Sequence, residues 1–432
     1  MASNHIRLGF KYKLRLTGKQ EREFIRYFGH ARYTYNSFID NMQEDYQEYL
    51  EDVESRLIFG EANSLKEAQK LTYNQFIHTY TFNYRLTPFK GEHEFLYECP
   101  SQVLQQKLQD LCDAYKKFFK HEAGYPQYKK KGIDDSIRFP QGFTFDEENS
   151  IVDLPIIGKI KYRNSRDLVG IPKSITITRD VTGWYMSVLC DLGLKPEIDY
   201  KKLDINSLVG IDMGVKRFAT LSTGEFFEDL QVLLKPIDEK IIKLQKRIKH
   251  KVKGSKRLKK AYKTIAKLQK KKADIRRDFI QKLSTQIVNN HDIVIVEDLK
   301  ITNMTKSAKG TIEEPGKNVK QKSGLNRAIL SEGWAYFFKC LEYKLENKGG
   351  VFKKVSPKHT SQKCSCCGHI SKDNRKTQAN FKCVKCGYEN NADENASVNI
   401  AQAGHAWIAR LYIDVNFFLR FSWFKLSFLH NL

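Results

Sequence analysis

The sequence predicts an α+β protein of several domains, and three observations lead to that prediction. Apolar residues recur at helical spacing within residues 17–121, whereas short strand-like segments lie on either side, in 1–16 and 122–203. From residue 204 a second region begins with an apolar strand that ends in an acidic residue. Two cysteine pairs between residues 361 and 387 mark a small insert in that region. We therefore expect a β-rich module that carries a helical insertion, followed by an α/β region with a metal-binding insert.

The composition indicates a folded chain that binds a polyanion. The 432 residues contain 74 Lys and Arg against 50 Asp and Glu, a formal charge of +24, and 41% are hydrophobic, which excludes a disordered chain. So large a positive excess favours nucleic acid or an anionic membrane surface as the partner. The N-terminus lacks the apolar core of a signal peptide, and charges interrupt the aromatic C-terminal stretch before it reaches the ~18 apolar residues of a membrane span. We therefore expect a soluble intracellular protein with no membrane partner.

Helical periodicity defines the insertion at residues 17–121. The first helix follows Thr17, and a later helix is predicted from Ser101 to Phe119, with Pro100 marking its start. Strands are then predicted at 158–162, 175–178 and 184–189. The apolar positions expected to face the core of the first helix are Phe24, Tyr27, Phe28, Ala31, Tyr35 and Phe38.

The second region alternates apolar strands with helices. Residues 235–285 form a basic helical hairpin, because the stretch from Lys235 to Lys282 holds 20 Lys and Arg against 4 Asp and Glu. Such a uniform sign favours a nucleic-acid surface over a merely solvated helix face, which would mix its charges. Residues 302–325 are polar and predict a mobile loop, and a final helix is predicted at 392–403.

Four cysteines predict a structural zinc site. Cys364 and Cys367 are separated by two residues, as are Cys383 and Cys386, and fifteen residues lie between the pairs. Four thiolates in two knuckles satisfy tetrahedral zinc, and a glycine follows each pair, as tight knuckle turns favour. All four positions are filled by protein, so the site is structural rather than catalytic. Cys366 lies inside the first knuckle and is expected to be a bystander.

Three acidic residues predict a second, catalytic metal site. Asp212 stands on the first strand of the second region, Glu297 at the end of a later apolar strand, and Asp393 just before the final helix. Nucleases that use two divalent ions about 4 Å apart need acids that converge from separate elements. Their hard oxygen ligands suit magnesium or manganese. Any one of these acids alone would more simply be a surface residue or a helix cap.

The motifs around these acids resemble those of a known family. Gly210-Ile-Asp212-Met-Gly214-Val, Val294-Ile-Val-Glu297-Asp-Leu and Asn391-Ala-Asp393-Glu-Asn-Ala-Ser resemble the three nuclease motifs of the RuvC domain in TnpB proteins. These OrfB proteins of insertion sequences are similar to the ancestors of type V CRISPR effectors. Residues 101–106 and the stretch from Thr360 to Gly368 resemble further family motifs, and the likeness extends from about Ile6 to Gly404.

The resemblance implies a division into domains. Residues 1–16 and 122–203 would form a wedge-type β-barrel, and residues 17–121 an inserted helical recognition bundle. Residues 204–360 and 388–404 would form an RNase H-like RuvC domain with a zinc ribbon inserted at 361–387. Residues 405–432 depart from the family, because this tail is far more aromatic than the short polar tails expected there.

The resemblance also implies a function, that of an RNA-guided DNA endonuclease of a transposable element. A guide RNA from the transposon end would pair with one strand of double-stranded DNA next to a short adjacent motif, and one RuvC site would cut. Asp212, Glu297 and Asp393 would hold magnesium or manganese, and the four cysteines zinc. We expect a cytoplasmic monomer that associates with the nucleoid when bound to DNA. The alternatives are a strand-transferring transposase, a miniature type V CRISPR effector and a guided DNA binder that does not cut.

Overall fold

The chain divides into two compact units, Met1–Leu194 and Lys195–Leu432. The computed structural model describes residues 4–76, 79–133, 135–200, 202–228, 230–311 and 313–429, and within these the side chains of all residues except 73–76, 79–81 and 411–429. No helix within these ranges is both long and apolar enough to cross a membrane.

Four helices of the first unit form the predicted insertion between its first two strands. They are α1 (Gly18–Ile58), α2 (Leu65–Phe76), α3 (Thr79–Glu92) and α4 (Ser101–Phe119). Helix α1 begins with a capping box, in which the Thr17 hydroxyl accepts from the Gln20 backbone N–H while the Gln20 side chain accepts from that of Thr17. The six apolar positions predicted for its core face are all buried, and the predicted bounds of α4 are confirmed.

Seven antiparallel strands of the first unit form one sheet, in the order β2-β6-β7-β1-β5-β4-β3. They are β1 (His5–Arg15), β2 (Ser136–Phe139), β3 (Thr144–Asp146), β4 (Ile151–Leu154), β5 (Gly158–Arg163), β6 (Ile171–Asp180) and β7 (Gly183–Leu194). Strand β1 lies at the centre because it pairs with β7 and β5 on its two sides.

This sheet does not close into the barrel that the family resemblance implied. A barrel needs a continuous ladder from its first strand to its last. The outer strands β2 and β3 are only four and three residues long, and within the described residues they do not pair with each other. Helix α4 instead packs beside β2, where Lys107 Nζ donates to Ser136 Oγ at 3.3 Å. The prediction of a closed barrel is therefore wrong, although the β-rich module and its helices are present.

The second unit contains a mixed five-stranded sheet in the order β10-β9-β8-β11-β12. Strands β8, β11 and β12 are parallel, whereas β9 and β10 continue from β8 as antiparallel strands. A separate two-stranded ribbon is formed by β13 and β14. The strands are β8 (Leu208–Met213), β9 (Arg217–Leu221), β10 (Phe226–Glu228), β11 (Ile293–Glu297), β12 (Val351–Val355), β13 (Asn380–Lys382) and β14 (Glu389–Asn391).

Among the residues that the structure describes, six helices accompany this sheet: α5 (Leu230–Ile248), α6 (Lys256–Asn290), α7 (Ile301–Met304), α8 (Val319–Glu332), α9 (Trp334–Lys348) and α10 (Ala392–Leu429). The predicted basic hairpin is confirmed as α5 and α6, and Ser255 caps the second helix by accepting from Leu258 N at 3.2 Å.

Two predictions about irregular segments are wrong in part. Helix α8 begins at Val319, inside the stretch predicted to be a mobile loop, and Asn326 ties it to the backbone oxygens of Thr305 and Lys306. Helix α10 does not end near Ala403 but continues through Gly404 to Leu429. The last three residues of the predicted aromatic tail, and its side chains beyond Arg410, lie outside the described residues.

Candidate active site

The register of two neighbouring parallel strands sets two carboxylates side by side. Ile211 on β8 lies opposite Val296 on β11, so the next residues, Asp212 and Glu297, occupy equivalent positions at the carboxyl ends of their strands. Residues at equivalent positions of strands about 4.8 Å apart project to the same face of a sheet. Both acids therefore lie at one edge of the sheet and on one face.

Helix α10 crosses this face at backbone contact distance. A Cβ atom on Gly210 would lie 2.3 Å from the Ser397 carbonyl oxygen, and one on Gly404 would lie 2.4 Å from Ile295 Cγ1. Only glycine permits so close an approach at these two positions. Asp393 stands in the first turn of α10, one turn before Ser397. The close packing thus carries a third carboxylate toward the ends of β8 and β11.

Burial and mutual repulsion mark the three acids as one electrostatic cluster. Burial, followed by the negative charges of Glu297 and Asp393, raises the pKa of Asp212 well above its ordinary value. Part of the Asp212 side chain is exposed, but its carboxyl lies deep among protein atoms. Burial also raises the pKa of Glu297, which is only 9% exposed. Carboxylates forced together in this way are typical of catalytic and cation-binding sites.

The donor set fits divalent cations. The three acids offer hard oxygen ligands, and a bound cation would relieve the repulsion that raises the pKa of Asp212. Within the described residues, only the four cysteines bring three or more ligand atoms within 4.8 Å of one another, so the ligand oxygens of the three acids do not meet that spacing.

Two arginines flank the acidic first turn of α10. Arg375 Nη2 donates to Asp393 Oδ1 at 3.3 Å and to the Gln378 carbonyl oxygen at 2.8 Å. Its charge also opposes the rise in the pKa of Asp212. Arg217 Nη1 lies 3.6 Å from Glu394 Oε1. Positive side chains therefore offset part of the repulsion among the acids.

A threonine holds the second acid in place. The buried Thr360 hydroxyl donates to Glu297 Oε1, and it also lies 3.1 Å from the Pro357 carbonyl oxygen. This hydrogen bond opposes the rise in the pKa of Glu297. Thr360 thus orients the carboxylate that ends β11.

Polar side chains of α10 fix the segment that carries this threonine. Asn399 Nδ2 donates to the carbonyl oxygens of Thr360 and Lys363, at 2.9 and 2.7 Å. One turn earlier, Asn395 donates to Lys363 O at 2.9 Å and accepts from Ser365 N at 3.0 Å. Helix α10 therefore anchors both the threonine and the segment entering the cysteine cluster.

The four cysteines come together as two matching knuckles. Their sulfur atoms all lie within 4.8 Å of one another, with Cys364 Sγ 3.7 Å from Cys386 Sγ and Cys367 Sγ 3.6 Å from Cys383 Sγ. Zinc–sulfur bonds of about 2.3 Å give a tetrahedron with edges of ~3.8 Å. Against the effect of burial, backbone N–H groups lower the pKa of Cys383 to about 6. Burial raises the pKa of Cys364 and, against a backbone hydrogen bond, hydrogen bonds with neighbouring thiols raise that of Cys386. The cluster therefore fits zinc, and exposed Cys366 is not part of it.

Comparison with known proteins identifies the family. The family models described as "Helix-turn-helix domain", "Probable transposase" and "Cas12f1-like, TNB domain" match residues 1–51, 194–308 and 334–400. A relative from Escherichia coli (strain K12), "Putative RNA-guided DNA endonuclease InsQ", is 39% identical over 401 residues, which cover 93% of this chain and 93% of the relative. The chain belongs to the TnpB family.

Further relatives match this TnpB protein along most of its length. A "Putative RNA-guided DNA endonuclease" of Streptomyces pristinaespiralis is 29% identical, over 93% of this chain and 90% of the relative. Among solved structures, the "Cryo-EM structure of the Cas12f1-sgRNA-target DNA complex" matches with a TM-score of 0.49 and 15% identity, over 92% of this chain and 99% of that one. The residues matched as a helix-turn-helix domain form strand β1 and most of helix α1.

The sequence of this TnpB protein predicts three acids and four cysteines as site residues. The cysteine sulfurs lie within 4.8 Å of one another, and the charges of Glu297 and Asp393 act on Asp212. Sequence reasoning missed the residues that hold these groups, Thr360, Arg375 and Asn399. One signal was available for Asn399: it follows Asn395 by four residues, and Ala396 and Ile400 beside them are buried. Polar side chains on the buried face of a helix need partners, and here the partners are the backbone oxygens before the first knuckle.

The raised pKa of Asp212 predicts how a metal-free Asp212→Asn variant responds to pH. The folded protein holds this proton more tightly than the unfolded chain, so the wild type loses stability as pH rises above about 4, whereas asparagine has no proton to lose. We expect Asp212→Asn to raise the midpoint of thermal unfolding in EDTA, and to raise it more at about pH 8 than at about pH 5. Scanning fluorimetry at several pH values measures the midpoint.

Asp298→Asn is the matched control for this experiment. Asp298 adjoins Glu297, is partly exposed, and has its pKa lowered by the hydrogen bond from Lys300, so its replacement should give no such stabilisation. A lower midpoint for Asp212→Asn than for the wild type at every pH would contradict the electrostatic cluster.

We also expect Thr360→Val to weaken Mn²⁺ binding by roughly 10–100-fold, the usual cost of losing a residue that orients a metal ligand. Valine keeps the shape of threonine but cannot donate to Glu297. Isothermal titration with Mn²⁺ measures the dissociation constant, and Thr360→Ser should restore it. Thr72→Val is the control, because that buried hydroxyl donates only to the Ala68 carbonyl oxygen. Unchanged Mn²⁺ affinity in Thr360→Val would reject the role of the hydroxyl.

Proposed function

We propose that this TnpB protein is an RNA-guided DNA endonuclease of a transposable element, which cuts double-stranded DNA next to a short adjacent motif. The observation that carries the proposal is the convergence of Asp212, Glu297 and Asp393 at one edge of the second unit's sheet. The names of the E. coli and Streptomyces relatives support the same activity.

Three carboxylates would hold the catalytic ions. Asp212, Glu297 and Asp393 are the residues that we assign to two magnesium or manganese ions. When bound, such ions activate the attacking water and stabilise the leaving oxygen of a phosphodiester. The chain's own contribution is to hold the carboxylates: Thr360 donates to Glu297, and Arg375 donates to Asp393. Arg375 also keeps a positive charge at the site, where a DNA phosphate would enter.

The basic hairpin of α5 and α6 would hold nucleic acid. Its 20 Lys and Arg against 4 Asp and Glu, between Lys235 and Lys282, supply most of the chain's positive excess. An RNA–DNA duplex is held through its backbone, which needs positive charge rather than base-specific contacts. A guide RNA from the transposon end is therefore the partner that we assign to this surface, in a cytoplasmic monomer that meets DNA at the nucleoid.

The four cysteines would hold zinc in a ribbon within the nuclease domain. We assign residues 361–387 to this ribbon and residues 204–360 and 388–404 to an RNase H-like RuvC domain. The mixed sheet supports this assignment, because three antiparallel strands are followed by two parallel ones, and Asp212 and Glu297 lie at the carboxyl ends of neighbouring parallel strands. Residues 17–121 would be the recognition bundle, and 1–16 with 122–203 the wedge, as an open sheet.

A strand-transferring transposase is the second candidate, favoured by the "Probable transposase" description of the matching family model. The two activities differ in product and in their need for RNA. If the protein joins DNA ends after its RNA has been removed, strand transfer is supported. If it cleaves DNA only with the co-purified RNA and a matching target, the endonuclease is supported.

Asp212→Ala and Glu297→Ala test the catalytic assignment. Each should reduce cleavage of a matched plasmid by about 10³-fold or more, because several kcal/mol of charge stabilisation depend on the bound ions. RNA binding should persist, because the hairpin is untouched. Asp298→Ala is the matched control and should cut like the wild type. Wild-type cleavage by either active-site variant would show that the site is elsewhere.

Cys383→Ser tests the zinc assignment against Cys366→Ser. The first variant should lose its zinc and unfold about 5–10 °C lower, because a structural site contributes several kcal/mol at roughly 2–4 °C per kcal/mol. Cys366 is exposed and outside the cluster, so its replacement should leave both quantities unchanged. Elemental analysis and thermal unfolding are the measurements, and equal zinc contents in the two variants would contradict the assignment.

A further inference from the structure

The first unit contains a cavity walled by aromatic rings. It has a volume of about 300 Å³ and lies between α1, α2 and the end of α4. Tyr46 and Tyr49 stack with their ring centroids 5.7 Å apart, and Phe119 lies edge-on to Tyr49 at 5.5 Å. Phe118 completes the aromatic wall. Tyr46, Phe118 and Phe119 are only partly buried, so their rings are not fully enclosed by the core.

Three lysines rim this cavity, and none of its described lining residues is acidic. Lys66 and Lys70 come from α2, and Lys120 follows the last residue of α4. This arrangement contrasts with the adjacent stretch of α1 and its end, where residues 40–61 contain eight acidic side chains and one basic one.

Three acids of this stretch pair with arginines rather than with the lysines at the cavity. Arg56 pairs with Asp52 and Glu61, and Arg85 pairs with Asp45. In the described part of the chain, Lys66, Lys70 and Lys120 form no ion pair with an acid. These three charges thus remain available to an anion at the mouth of an aromatic cavity.

We propose that this cavity binds one unpaired nucleotide, with its base against the aromatic rings and its phosphate at the lysines. Aromatic stacking accepts any base, since every base has a π-face, and lysine binds phosphate as a point charge. A bare phosphate would need no rings, and an apolar ligand would need no lysines. The volume lies at the lower end of the roughly 300–1,000 Å³ of ligand pockets, which suits a single nucleotide.

The proposal commits to a nucleotide within a single-stranded segment of RNA and goes beyond the proposed nuclease, whose chemistry it does not require. An RNA held by the basic hairpin through its backbone has segments outside the guide–target duplex, and their bases are free to stack. A free nucleoside monophosphate offers the same chemistry, so the experiment must separate the two sources.

Binding of a fluorescent uridine octamer to the full-length protein is the first measurement, beside an abasic octamer of equal length. Tyr46→Leu should weaken binding of the uridine octamer by roughly 5–150-fold, with little effect on the abasic strand, and Tyr46→Phe should restore it. Lys66→Ala with Lys70→Ala should weaken binding of both strands and lower the slope of log affinity against log salt by about 1.4. Lys117→Ala is the matched control, because Lys117 is exposed on α4 and does not line the cavity.

Photo-crosslinking identifies the location directly. An octamer containing 4-thiouridine should crosslink to peptides that contain Tyr46, Tyr49 or Phe118, and the Tyr46→Leu variant should lose this crosslink while keeping its thermal midpoint.

Competition with millimolar uridine monophosphate distinguishes the two sources of the nucleotide. Loss of the crosslink would identify a free nucleotide as the ligand, whereas a crosslink that persists would identify a nucleotide within a strand. Crosslinks confined to the α5–α6 hairpin, or equal affinity of Tyr46→Leu and wild type for the uridine octamer, would overturn the proposal. Cleavage by the same variants is scored separately, so failure of the cavity and failure of the nuclease are distinguishable.

Discussion

A helix packed at backbone contact distance across two parallel strands is the constraint on which the candidate active site depends. Gly210 and Gly404 permit that contact, because a Cβ at either position would overlap Ser397 or Ile295. The register of β8 and β11 aligns Asp212 with Glu297, and the close helix adds Asp393. Three residues that are far apart in the chain meet because two glycines leave room for a backbone to pass.

The same geometry brings negative charges close together. Residues within or just before the cysteine-bearing insert donate hydrogen bonds to two of these acids. Arg375, between the two knuckles, donates to Asp393, and Thr360, just before the first knuckle, donates to Glu297. The insert can do this because of where it joins the sheet. Strand β12 is parallel to β11 and ends at the same edge, so the chain leaves the sheet beside Glu297 and returns at the first turn of α10. The cysteine cluster thus fixes a segment that already borders the acids.

Much of this arrangement was predictable where the signal is local. The bounds of α4 follow from Pro100 and an apolar stripe, and the cysteine site follows from the spacing of its two pairs. The partner of Glu297 was not predictable, because no local pattern marks Thr360 as a donor to a residue 63 positions away. The barrel was not predictable for a similar reason: whether the outer strands β2 and β3 pair depends on tertiary structure, and α4 packs against β2. The last helix was predicted to end just before Gly404, but α10 continues through this glycine, which packs against Ile295.

The two units differ in how positive charge is arranged, and so in the kind of nucleic-acid contact that we propose for each. The hairpin of α5 and α6 concentrates positive charge and contains only two aromatic residues, Tyr262 and Phe279, which suits the backbone contacts that we propose for it. In the first unit the stretch 40–61 keeps a net negative charge, and three lysines with no ion pair among the described residues rim an aromatic cavity. In the binding mode that we propose, a phosphate meets the lysines while its base stacks on the rings. A duplex has no free base to stack in this way, so the cavity suits an unpaired nucleotide.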